Sequence, residues 1–347
     1  MKLVTFRRSG ESLREARAGV LLPFGVIDLT AAAPLVFEEV EGARIDMLRL
    51  LDGDDSGLNL DGAAEIANAV LEQIGGAIDV VSDESEPDTI DLTGSLSIGG
   101  LELLLPRSEA KLLAPLPRPR SVRDFFAFEQ HVATTRGHYG KPVPPAWYKY
   151  PVFFFLNHQA IIGPDDRLAM PRTEQLDYEL EVACVIGREG RDIDPDDALD
   201  HIAGFTIMND WSARDLQREE SSIGLGPSKG KDFATSLGPY LVTLDELEEF
   251  ATGDGRWRLE MTARVNGREY SRGNLADMHY TWAEIIAHAS RDATLYPGDV
   301  LGSGTVGGGC ILELTPEAVG GWLEPDDVVE LEVTGLGTLK NRIVYGA

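Results

Sequence analysis

The chain has 347 residues, 43% of them hydrophobic, and carries a formal net charge of −27 from 58 acidic and 31 basic side chains. That length suits one large domain or two ordinary ones with a real core. The charge argues against nucleic acid or an anionic membrane as partner, because phosphate binding needs a basic surface.

The opening MKLVTFRRSG reads as a strand and turn, and GVLLPFGVIDLT as one or two further strands. Residues 61–77, DGAAEIANAVLEQIGGA, begin with Asp, space apolar residues at helical intervals and end in Gly-Gly, which predicts a helix. The acidic stretch 82–91, SDESEPDTID, reads as a solvated loop. LELLLP then runs into KLLAPLPRPRS, where Pro115, Pro117 and Pro119 interrupt regular structure. A boundary near residue 117 follows, with a small β-containing domain at 1–116 and a larger one at 117–347. The larger part holds strand patterns in PVFFFLNHQAII, LEVACVIG, IAGFTIMND, GPYLVTL, RLEMTARVNG, DVLGSGT, CILEL and VVELEVTGLGTLKN. Helices are expected at 279–292 and, weakly, around 195–202. The fold class is therefore β-rich α+β, without βαβ alternation.

Two glycine motifs suggest nucleotides and fail on context. Gly302, Gly304 and Gly307 match GxGxxG, but CILEL behind them reads as a strand where a dinucleotide site needs a helix. GPSKGKD (226–232) has Leu225 and Asp232 where a phosphate loop needs Gly and Ser or Thr. Cys184 and Cys310 supply neither a disulfide framework nor a CxxC metal site. No charged leader precedes an apolar segment, and no run reaches about 18 apolar residues. A cytoplasmic location is expected. The acid excess also suits a salt-rich setting, in which activity would rise with KCl.

In LDYELEVACVIG (176–187) apolar and polar residues alternate as in a half-buried strand, which puts Asp177, Glu179 and Glu181 on one face. Acids are depleted in strands, and inward carboxylates cost several kcal/mol unless paired or metal-bound. RDFFAFEQH adds Asp124 and His131, and MNDWSARDLQ adds Asp210 at the end of an apolar strand, followed by Arg214 and Gln217. Asp124, Glu179, Glu181 and Asp210 are four hard oxygen donors, a set suited to Mg²⁺, Mn²⁺ or Ca²⁺ rather than zinc.

From residue 117 onward the chain resembles the fumarylacetoacetate hydrolase family. MNDWSARDLQ carries the resemblance, with the D…H, ExE, GKDFATSLGP and GSGT…LEL segments in the family's order. The resemblance implies a mixed β-sandwich roll, a homodimer and a small keto-acid substrate. It makes Asp124, Glu179, Glu181 and Asp210 the ligands of a divalent cation, and gives Asp177 a supporting role. It makes His131 and Glu313 a water-activating dyad and Lys231 the group that steadies developing negative charge. Arg214, Gln217 and Thr305 fall at substrate-contacting positions. Two segments depart from the family. Ser221 stands where a tyrosine follows the motif glutamine, and VATTRGHYGKPVPPAWYKY replaces a basic substrate loop, leaving Arg136, Lys141, Tyr148 and Lys149 as substitutes.

The residue types suit hydrolysis of a 1,3-diketo acid. The acid chelates a cation, a histidine oriented by a carboxylate activates water, and carbon–carbon cleavage expels an enolate that the cation and Lys231 stabilise. The expected activity is thus that of a metal-dependent hydrolase acting on carbon–carbon bonds. The alternative is a 2-oxo acid lyase (decarboxylase, hydratase or sugar-acid dehydratase) on the same cation site.

Overall fold

The computed structural model describes residues 1–37, 44–75, 96–98 and 101–346. The expected acidic loop at 82–91 and the last two residues of the helix expected at 61–77 lie outside them; the helix itself runs Leu60–Gly75. Among the described residues one 13-stranded sheet dominates, with a five-stranded sheet beside it. The arrangement is mixed, strand-rich α+β. Most pairings are antiparallel, as hairpins and meanders give, with parallel pairing at Val300–Gly302 with Val122–Phe125 and in two other strand pairs.

The central run of the large sheet is Lys2–Arg8, Thr235–Val242, Ile202–Asp210, Leu180–Ile186, Val300–Gly302, Val122–Phe125 and Phe153–Phe155. The half-buried reading of LEVACVIG needs correction: every residue of Leu180–Ile186 is buried. Its two faces enter two cores. Leu180, Val182, Cys184 and Ile186 pack in a cluster with Met261, Leu331 and Leu339 of the five-stranded sheet and with Ile285 of the helix Trp282–Ser290. Ala183 and Val185 pack in another with Leu3, Val20, Ile66 and Val70. A strand covered on both sides needs apolar residues at every position, and alternation survives only at its acidic end.

CILEL is the second correction. Ile311–Leu314 is a helical turn, not a strand. Its first N–H groups have no partners within the turn, and the Asp177 carboxylate accepts from Ile311 N at 2.8 Å and Leu312 N at 3.0 Å. The nucleotide reading still fails, since a carboxylate already occupies the place an anionic phosphate would take. The boundary region near 117 lies between the strands Ala110–Leu112 and Val122–Phe125, and strands from both sides of it join the large sheet.

Candidate functional site

Four neighbouring strands bring the acids together. Asp210 ends Ile202–Asp210, whose Asn209 and Met208 pair with Leu180 and Glu181. Leu180–Ile186 pairs next with Val300–Gly302, and Gly302 pairs with Asp124. The intervening strand ends in glycine for a steric reason. A Cβ on Gly302 would lie 2.6 Å from Asp124 Oδ1 and 2.5 Å from the Met208 methyl group. The bare backbone lets Asp124 reach across toward Glu181.

Ligand-type atoms of Asp124, Glu179 and Asp210 lie within 4.8 Å of one another. Glu181 is beside them and accepts from the Thr305 hydroxyl at 3.2 Å. The Lys231 ammonium enters the cluster, 2.6 Å from Asp210 Oδ2 and in contact with Glu179 Oε2. Burial would raise the Glu179 carboxyl, but Lys231 and Arg214 outweigh it and Glu179 is held well below the usual range. Burial pushes Asp124 up to about 7, with Lys231 only partly offsetting it. Glu181 is raised well above the usual carboxylate range, because burial is joined by the charges of Asp124, Glu179 and Asp210. Asp210 is raised by burial as well, against the pull of Lys231. Lys231 stays charged, since Asp210 and Glu179 overcome its desolvation.

These carboxylates have less positive charge than they need. Asp124 Oδ1, Glu181 Oε2 and Asp210 Oδ1 are buried with no hydrogen-bond donor. Buried oxygens of this kind call for a proton or a cation. The donor set is all oxygen, so the residues fit a hard divalent ion.

Asp177 makes the contrast. Besides the two amides of the helical turn it accepts from Arg214 Nε at 2.8 Å, which occupies both its oxygens. It ties Arg214 to the helical turn Ile311–Leu314. Arg214 also lies 2.8 Å from Glu179 Oε1 through Nη2 and donates to Gln217 Oε1 at 3.0 Å. Much of this guanidinium is therefore engaged with protein, although Arg214, Gln217 and Thr305 all line the cleft described next.

A cleft of about 750 Å³ opens over the cluster and is lined by Asp124, Glu179, Lys231 and His131. His131, on the helix Glu129–Gly137, meets Glu313 of the helical turn, Nδ1 to Oε1 at 2.5 Å. Gly308 N donates to the other Glu313 oxygen at 3.0 Å, so the carboxylate is fixed and Nε2 is the ring nitrogen left for the cleft. Phe126, Phe153 and Phe154 give the cleft an apolar side, while Arg136, Lys141 and Ser221 lie on its rim. Tyr148 is turned to Glu129, 2.5 Å away, and neither it nor Lys149 lines the cleft.

Sequence reasoning missed one contributor to the site and one neighbour of it. Asn209 accepts from Glu179 N at 2.9 Å and sets that acid's backbone. Cys310 lies 3.7 Å from Glu313 Oε1. The i,i+3 spacing of Cys310 and Glu313 becomes meaningful only when CILEL is read as helix.

Residues 120–344 match the family model described as fumarylacetoacetate (FAA) hydrolase C-terminal. Human oxaloacetate tautomerase FAHD2A, mitochondrial, is 35% identical over 242 residues, covering 70% of this chain and 72% of that protein. The Xenopus laevis oxaloacetate tautomerase fahd2, mitochondrial, is 33% identical over 259 residues, covering 73% and 74%. Fumarylacetoacetate hydrolase from Exiguobacterium antarcticum superposes with a TM-score of 0.67 at 26% identity over 99% of both chains. Maleylpyruvate hydrolase from Sphingobium sp. SYK-6, solved with manganese and pyruvate, shares the fold at a TM-score of 0.65 and 20% identity over the full length of both chains. Among the described residues no helix is long and apolar enough to cross a membrane.

Proposed function

The chain belongs to the fumarylacetoacetate hydrolase family, and on that premise we propose that it is a divalent-metal-dependent hydrolase cleaving a carbon–carbon bond of a small 1,3-diketo acid. The observation that carries the reading is the 2.5 Å contact of His131 Nδ1 with Glu313 Oε1 on the wall of the cleft that holds the acid cluster. A Mg²⁺ or Mn²⁺ ion held by Asp124, Glu179, Glu181 and Asp210 would fix the chelating diketo acid and polarise its carbonyl.

The rest falls to the chain's own side chains. Glu313 keeps the histidine in one orientation and offsets its charge once protonated. His131 Nε2 takes a proton from water as the water oxygen attacks the distal carbonyl. The bond to the central carbon then breaks, and its electrons pass into the enolate of the departing 2-oxo acid. Lys231, kept charged by Asp210 and Glu179, would offset that negative charge as it develops. The proton held on His131 then passes to the enolate carbon, which completes the 2-oxo acid. The cleft volume is in the range that holds drug-sized ligands, which suits an acyl tail beyond the diketo acid head.

The test is a panel of acylpyruvates and fumarylacetoacetate, followed by loss of the enolised diketone absorbance with Mg²⁺, with Mn²⁺ and with chelator. Metal-dependent loss with two acids formed supports the reading. Failure on every diketone overturns it.

A second reading, keto–enol tautomerisation of a 2-oxo acid, is favoured by the relatives at 35% and 33% identity that bear the name oxaloacetate tautomerase. His131 would then move a proton between carbon and oxygen with no water consumed. Decay of oxaloacetate enol absorbance without any acid product, alongside inert diketones, would select it.

A further inference from the structure

Beside the oxygen cluster, the described residues assemble one other set of donors. His131 Nδ1, Cys310 Sγ and Glu313 Oε1 lie within 4.8 Å of one another, and all three residues are buried. Two of the separations are 2.5 Å for Nδ1 to Oε1 and 3.7 Å for Sγ to Oε1. Independent elements hold them. The helix Glu129–Gly137 carries His131, while Cys310 and Glu313 belong to the helical turn that Asp177 anchors through Ile311 N and Leu312 N. The donor chemistry also differs from that of the neighbouring cluster. Imidazole, thiolate and one carboxylate suit a borderline-soft ion, whereas four carboxylates suit a hard one.

We propose that His131, Cys310 and Glu313 form a second, inhibitory site for a thiophilic divalent cation such as Zn²⁺, on the Nδ1 side of the His131 ring and distinct from the oxygen cluster. Tetrahedral bonds of ~2.0–2.3 Å put neighbouring donors roughly 3.3–3.8 Å apart. The sulfur-to-oxygen separation of 3.7 Å already meets that requirement. The 2.5 Å contact between nitrogen and oxygen has to open by about 1 Å. Binding sends the Cys310 thiol proton and any proton on Nδ1 to solvent, and no electron is transferred. The cation replaces the hydrogen bond through which Glu313 orients His131, and the ring is locked. Binding stands on this geometry alone, whereas inhibition rests on the role proposed above for the dyad.

Co²⁺ added to the full chain already saturated with Mg²⁺ is the direct probe. The wild type should show a near-ultraviolet thiolate-to-cobalt charge-transfer band that Cys310→Ala abolishes and Cys184→Ala keeps. In equilibrium dialysis against Zn²⁺ the wild type should hold one more ion per chain than Cys310→Ala. Losing even an outer-shell partner of a ligand costs roughly 10–100-fold in metal affinity, so the Zn²⁺ concentration for half-inhibition should rise at least tenfold in Cys310→Ala. Turnover with Mg²⁺ should stay close to wild type, since an S–H···O contact is a second-order interaction. Cys310→Ser replaces the alanine variant if that one loses its cooperative melt. A wild type without the band, or equal Zn²⁺ binding by wild type and variant, overturns the site. A band without inhibition overturns the inhibitory role and with it the catalytic part given to His131 and Glu313, and is thereby distinguished from failure of the site itself.

Discussion

Asp177 and Glu181 begin and end the same acidic stretch, both are wholly buried and burial raises both carboxyls, yet their oxygens meet opposite surroundings. Asp177 has two backbone N–H groups and the Arg214 guanidinium on its oxygens. Glu181 has one weak donor, the Thr305 hydroxyl, and three carboxylates as neighbours. A satisfied buried acid holds a structure together, and an unsatisfied one is held by it. The difference separates bracing from binding more sharply than burial or spacing does.

The largest effect expected from this contrast is on folding. Asp177→Asn sets an amide NH₂ against two N–H donors and strips a buried arginine of one counter-charge, which should cost about 3–5 kcal/mol. Urea unfolding of the chelated chain would measure it, and a loss below 1 kcal/mol would erase the distinction. Glu181→Gln should do the reverse: metal-free stability unchanged or raised, because a repelling charge is gone, and Mn²⁺ affinity lower by on the order of a hundredfold in calorimetric titration. Glu313 tests a third condition, an acid that is satisfied yet reaches the cleft through His131. Glu313→Gln should lower kcat by roughly a hundredfold or more while leaving Mn²⁺ affinity near wild type.

A smaller effect appears with pH. Folding raises Asp124 from 3.8 to about 7, so between those values the metal-free folded chain holds a proton that the unfolded chain has released. Metal-free stability should therefore fall as pH rises through that window, and Mn²⁺ affinity should climb over the same range as the proton leaves. Thermal melts from pH 5 to 8, with chelator and with Mn²⁺, should slope in opposite directions. Parallel slopes would mean that the acid cluster is not the cation site. The smallest effect is on the surface. With a net charge of −27, self-repulsion is screened by salt, and KCl should raise the melting temperature of the chelated chain by a few degrees.

The acids were readable in the sequence because charge inside an apolar strand is costly and so stands out. Their convergence was not, since it depends on which strands are neighbours and on Gly302 being thin enough to let Asp124 pass. The contact between His131 and Glu313 joins residues 182 positions apart, and only a resemblance to other proteins could pair them in advance. CILEL misled because a short run of mostly apolar residues reads as a buried strand as readily as a helical turn. Asp177 supplies the missing partners at the N-terminus of the turn, and a contact from a distant strand thereby overrides local preference. The full burial of Leu180–Ile186 was hidden for a related reason: a strand's own residues report one core, and much of the second is supplied by the first seventy residues of the chain.

That second core bears on modularity. Leu3 and Lys2 pair with Leu241 and Val242, and Leu3 packs in one cluster with Met208, which faces Glu181 across the strands. A chain begun at residue 120 would present an open strand edge and a bare apolar face directly behind the acid cluster, the combination that invites aggregation. The leading segment thus does for the sheet that carries the acids what a subunit interface does elsewhere, and evolution could exchange it only for another segment able to dock on that face.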